Sequence, residues 1–152
     1  MQTLSGMQRS SYDKKNILTA FIFFLSILYE SLTTLYPFLP PLLGIAFFIF
    51  ASSENRLIKI YIFLYTLFFE ADHGLPLFST FLSFTILKYI FLKLQNILSS
   101  KLLIKISLVA TFYLFYPIFL YFLNKVFLTQ MITFDLEYFK YLLIEIILVA
   151  MI

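Results

Sequence analysis

The chain has 152 residues, 62% of them hydrophobic and 12% charged, with a mean hydropathy of +0.96. A soluble domain carries roughly 45–50% apolar and about 25% charged residues, and so short a chain cannot hide that excess behind its own surface; the composition predicts an integral membrane protein. The net charge of +3 comes from basic residues scattered between apolar runs, which is not a nucleic-acid footprint, and the absence of cysteine excludes disulfides and thiolate metal sites.

Continuous runs such as Phe21-Ile22-Phe23-Phe24-Leu25 contradict the alternation of a transmembrane barrel strand. Helices remain, because in lipid each backbone donor and acceptor must be satisfied within its own segment. The expected fold is all-α: one polytopic membrane helical bundle of about six transmembrane helices.

Met1 to Asn16 reads as a polar cytoplasmic lead, with Arg9, Lys14 and Lys15 against Asp13. Ile17 to Tyr36 is the first span, near the roughly 20 residues that a bilayer core requires. It is expected to be an uncleaved anchor, since no small-residue cleavage site follows it and Glu30 interrupts its end. Tyr36-Pro37-Phe38-Leu39-Pro40-Pro41 is a sharp connection, because proline lacks the donor a helix interior needs. The second span, Pro41 to Ala51 or Ser52, is short. A polar turn, Ser53-Glu54-Asn55-Arg56, leads to a third short span, Leu57 to Phe69, with Lys59 near its start able to snorkel.

A polar knot follows, Phe68 to Ser79, holding the only histidine together with Glu70, Asp72, Gly74 and Pro76. Leu75 to Leu94 is the fourth span, with Pro76 expected in its first turn, where a missing donor costs nothing. A polar loop over Gln95 to Lys101 precedes the fifth span, Leu102 to Phe122 or Leu123, which contains Pro117. Asn124 to Glu137 reads as a mixed loop, and Tyr138 to Ile152 as the sixth span.

Charge orients these spans. With the N-terminus inside, the inner segments hold Arg9, Lys14, Lys15, Arg56, Lys59, Lys93, Lys101 and Lys105. The outer ones hold Lys125 and Lys140 against Glu70, Asp72, Asp135 and Glu137. That bias satisfies the positive-inside rule with both termini cytoplasmic, and it places the knot outside.

Few residues are available for chemistry. Glu70, Asp72 and His73 are metal-ligand types, but they lie within four residues and no second histidine completes a site. The plain reading is that they end the third span at a polar interface; the sharper one is a loop recognised by a partner or ligand. Glu145 sits about 10 Å along the last helix, where a charge costs at least ~2.5–3.5 kcal/mol. Protonation, a polar groove or a basic partner must offset that cost, and Lys88 in the fourth span is the one intramembrane cation. Glu30 is a further polar residue within a span. Each has an equally plain reading as a hydrogen-bonded packing residue. Ser79 and Ser83, four apart with Thr80 beside them, form a small-residue seam that lets helices approach closely. No phosphate-cradling loop, Ser/His/Asp set or nucleotide motif is present, so no catalytic residue, cofactor or enzymatic activity is expected.

From Pro37 to Tyr89 the chain resembles the rod shape-determining protein MreD family. The shared features are a proline-led short span (Pro40-Pro41-Leu42-Leu43), a charged turn (Glu54-Asn55-Arg56), and an acidic residue followed by Gly-x-Pro-Leu (Asp72-His73-Gly74-Leu75-Pro76-Leu77). The resemblance implies a non-catalytic scaffold of the bacterial inner membrane in the complex for lateral cell-wall (peptidoglycan) synthesis and cell shape. Its partners would be an MreC-like bitopic protein and, through it, the MreB filament and the polymerising enzymes. The six-helix arrangement is also similar to the substrate-binding subunits of energy-coupling-factor transporters, which implies an alternative: capture of a small molecule from outside.

Overall fold

A computed structural model describes residues 3–94, 100–127 and 137–151, and these form six α-helices with no strand among them. The helices are α1 (Thr3–Leu35), α2 (Leu43–Ser52), α3 (Arg56–Asp72), α4 (Ser79–Leu94), α5 (Lys101–Phe127) and α6 (Glu137–Met151). The expected lead is helical from Thr3 and continuous with α1. Among the described residues two stretches are long and apolar enough to cross a membrane, Ile17–Leu35 and Leu102–Val126. The other four helices have 10, 17, 16 and 15 residues. The loops expected over 95–101 and 124–137 lie largely outside the described residues, although α5 runs on through Asn124 to Phe127.

The breaks follow from local chemistry. Helix α1 stops before Pro37, whose ring disfavours helical geometry in the residue preceding it. Prolines at 37, 40 and 41 keep the chain irregular until Leu42, which takes a left-handed φ of 52° as α2 begins. Asn55 starts α3 conventionally, its Oδ1 accepting the Leu57 N–H at 3.0 Å. One expectation fails here. Pro76 is not in the first turn of α4 but three residues before it, its carbonyl accepting the Ser79 N–H at 3.1 Å. The helix cannot start earlier because Gly74 (φ 63°) and Phe78 (φ 66°) are both left-handed.

Successive helices alternate in direction. Helix α2 is the hub, packing against α3, α4, α5 and α6. Such all-round contact explains why its sequence is apolar on every side. Phe47 of α2, Phe84 of α4 and Phe112 of α5 form the centre, with ring centroids 5.2–5.7 Å apart and exposures of 0–1%. Helix α1 lies outside this core and runs parallel to α3, with Phe23 stacked on Tyr61 at 4.9 Å. Large apolar residues dominate its outer face, among them Ile17, Phe21, Phe24 and Leu35 at 58–72% exposure.

Alternation sorts the charges. One end of the bundle collects Glu30, Glu70, Asp72, His73 and Glu145, where α1 and α3 finish and α2 and α4 begin. The other collects Glu54, Lys59 and Lys88, with Lys105 beside the last turn of α2. The side chains of Arg9, Lys14, Lys15 and Lys101, assigned to the basic side from sequence, are not among those described.

Candidate functional site: three buried glutamates at the helix breaks

The first residues of any helix leave N–H groups without intrahelical partners, and a buried orphan donor costs about 1–3 kcal/mol. Ser, Thr, Asp or Asn just before the helix normally removes that cost. Helices α2 and α4 have Leu42 and Phe78 there, which have no acceptor to offer. Both helices are capped instead by a glutamate from elsewhere in the chain.

At α2 that glutamate is Glu145 of α6. Its Oε2 accepts the Ile45 N–H at 3.0 Å, and the carboxyl faces the neighbouring amides of Gly44 and Leu43. Tyr113 of α5 donates to Oε1 at 2.5 Å. The fit requires glycine at 44, because a Cβ there would stand 2.5 Å from Glu145 Oε2 and 2.8 Å from Val109. Glu145 is fully buried, as its depth in the sixth helix implied, but Lys88 is not its partner. Lys88 lies at the opposite end, near Lys59 and Glu54, its Nζ 5.3 Å from the Phe50 ring centroid.

At α4 the capping residue is Glu70 of α3. Oε2 accepts the Phe78 N–H at 2.6 Å, while Oε1 accepts the Thr80 N–H at 2.5 Å and the Ser79 hydroxyl at 3.3 Å. Glu70 has 0% exposure, so it is not part of an acidic outer turn; the Gly74 reversal folds α4 back onto it. Asp72, Gly74 and Leu77 remain exposed and Pro76 is half-buried. The serine seam also turns inward. Ser79 and Ser83 are 2% and 0% exposed, Ser83 donates to the Thr80 carbonyl at 2.7 Å, and the Thr80 hydroxyl meets Tyr116 of α5 at 2.8 Å. The small residues serve the contact of α4 with α5 within this chain, so they are not free for a partner helix.

The third glutamate, Glu30, is fully buried between α1 and α3. Tyr65 donates to its Oε2 at 2.7 Å, Thr33 to its Oε1 at 3.3 Å, and His73 Nδ1 stands 3.9 Å from Oε1. Tyr65 also hydrogen-bonds the Pro41 carbonyl, Tyr29 the Pro40 carbonyl at 2.9 Å, and Tyr141 the Pro37 carbonyl. Tyrosines from three helices therefore satisfy the irregular proline segment. His73 is the partly accessible edge of this network, about one-third exposed.

Sequence reasoning singled out all three glutamates but missed Tyr65, Tyr113, Tyr116 and Gly44. One signal was present: two helices with apolar residues at their N-cap positions, in a chain with unpaired glutamates inside apolar runs. Among the described residues no group of three or more His, Asp or Glu is arranged to hold a metal ion. A cleft of about 370 Å³ opens between α1, α2 and α3, lined mainly by Ile22, Phe23, Ile45, Ile49, Ile58 and Tyr65. No family model, curated protein or solved structure matches the chain.

Proposed function

We propose that this is a multi-pass membrane protein that works by binding other membrane proteins rather than by turning over a substrate. The observation that carries this reading is the contrast between its inside and its outside. The buried carboxyl groups are engaged with helix termini and hydroxyls of the same chain. The outside, α1 above all, is a wall of exposed Ile, Leu and Phe, more apolar patch than a soluble monomer carries. Of the stretch Ile17–Leu35 only 11% is buried inside the bundle. Helix α1 is thus held on one side by α3 and offers the rest of its circumference to its surroundings. The docking face is α1 and not the internal Ser79/Ser83 seam. All six helices cross the bilayer, the basic end facing the cytoplasm, and the short ones are accommodated by local thinning and by tyrosines at the interface.

The resemblance to the MreD family supplies the partner class: a bitopic protein of the cell-wall elongation complex in a bacterial inner membrane. A photo-crosslinker placed at Phe21, Leu25 or Leu32 should capture a membrane protein in the source bacterium, and depletion should widen or round the cells. Unchanged shape on depletion, with only lipid adducts from α1, would overturn the scaffold reading. The cleft between α1, α2 and α3 favours a second reading, a small-molecule-binding membrane subunit. Uptake of a vitamin-sized solute by the chain with an ATPase module would establish it.

A further inference from the structure

We infer that the basic end of the bundle binds the phosphate of an anionic lipid headgroup between Lys59 and Lys88. The inference rests on the membrane reading above but not on the scaffold role. Lys59 lies in the first turn of α3, one turn before Phe63, and Lys88 lies on α4 two turns beyond Phe81; the Phe63–Phe81 ring contact at 4.9 Å sets both lysines on the seam where α3 packs against α4. Both side chains are half-buried. Among the described residues no carboxylate lies within 4.0 Å of either; the one acidic side chain nearby, Glu54, is exposed.

Two features of this arrangement are unfavourable as they stand. Like charges that share one seam repel. The first turn of α3 also contains Arg56 and Lys59 and no acidic residue, although a helix N-terminus carries partial positive charge and favours anions. One anion seated between the lysines reverses both. It turns the repulsion into two charge-assisted hydrogen bonds and complements the N-terminus of α3. Phe50 beneath the Lys88 ammonium, 5.3 Å from its ring centroid, holds that group in place.

The surroundings select a lipid over a soluble anion. Leu92, one turn beyond Lys88 on α4, and Ile60, next to Lys59 on α3, are 51% and 52% exposed, an apolar surface along which acyl chains lie while the phosphate stays at headgroup level. Basic pockets between transmembrane helices near the cytoplasmic face bind such headgroups.

The test uses the purified full chain in vesicles of phosphatidylcholine alone or mixed with phosphatidylglycerol, with retained lipid read by native mass spectrometry. The wild type should retain phosphatidylglycerol preferentially. Each lysine neutralised, Lys59→Gln or Lys88→Gln, should lower that preference about fivefold, and the double variant roughly twenty-five-fold. Lys59→Arg with Lys88→Arg should keep it, which separates charge from packing. Insertion without preference, or a double glutamine variant that inserts and retains the preference, overturns the site alone. Displacement of the lipid by inorganic phosphate at matched concentration overturns the lipid as ligand. Failure to enter vesicles overturns the membrane reading and the site together.

Discussion

Leu42 and Phe78 are left-handed, apolar and placed just before helices, a combination that neither propensity nor capping favours. Each is tolerated because a glutamate supplies the acceptor that the local sequence lacks. Glu145→Leu should therefore destabilise the bundle by about 1–3 kcal/mol, since the Ile45 amide loses its acceptor and the Tyr113 hydroxyl its partner; thermal unfolding in detergent, followed by circular dichroism, measures the loss. Glu145→Gln retains one acceptor oxygen and should lose less. Gly44→Ala should be damaging alone and milder with Glu145→Asp, because the shorter side chain vacates the space the methyl group needs; additive effects would refute the close fit. At α4, Phe78→Asn should rescue Glu70→Ala in part, asparagine being both an N-cap and tolerant of positive φ. How far these sites were legible depends on what each glutamate binds. Burial of Glu145 follows from the apolar run around it, but its partners are backbone amides 100 residues away, which leave no mark on side-chain pattern. Glu70 stands beside Asp72 and His73 in sequence and so looked exposed. Asp72, two residues on, points to another face of the same helix, and the reversal at Gly74 folds α4 back over Glu70 alone.

The proline segment shows the same logic at the level of elements. Three tyrosines from α1, α3 and α6 bond the carbonyls of Pro40, Pro41 and Pro37. Tyr29→Phe and Tyr141→Phe should each cost about 0.5–1.5 kcal/mol. Tyr65→Phe should cost more, because Glu30 loses its closest donor at the same time. Thermal melts of the three variants should rank Tyr65 first, and an equal loss at all three would disprove the shared role of that hydroxyl. Most element bounds were readable from the sequence, since apolar runs between prolines and polar turns gave them to within about five residues, although α1 begins at Thr3, fourteen residues before the expected span. The start of α4 was not. Pro76 is as suitable for a first turn as for the loop before it, and the deciding factor is Glu70 fixing the chain at Phe78 and Thr80.

For the whole molecule, the alternation of helices places the buried carboxyl groups at one end and Lys59, Lys88 and Lys105 at the other, and those charges complement the dipole of α2. Glu145 meets its N-terminus, while Lys88 and Lys105 lie over Phe50 and Phe48 near its C-terminus. If all six helices cross, single cysteines at Ser53 and His73 should label from opposite faces of the membrane, Ser53 from the cytoplasm. Labelling of both from one face would mean that α3 does not span. Charge bias in the sequence predicts the same two ends, because loops that share a side share a sign.

The two trans caps also differ in when they can form. Glu70 precedes α4 by nine residues, so the cap is in hand as soon as α4 leaves the ribosome. Glu145 follows the start of α2 by a hundred, and until α6 has been made the amides at the head of α2 must remain with water or with the insertion machinery. The hub of the bundle is therefore the second helix to be synthesised and among the last to settle, and nascent chains arrested before α6 should leave α2 open to protease.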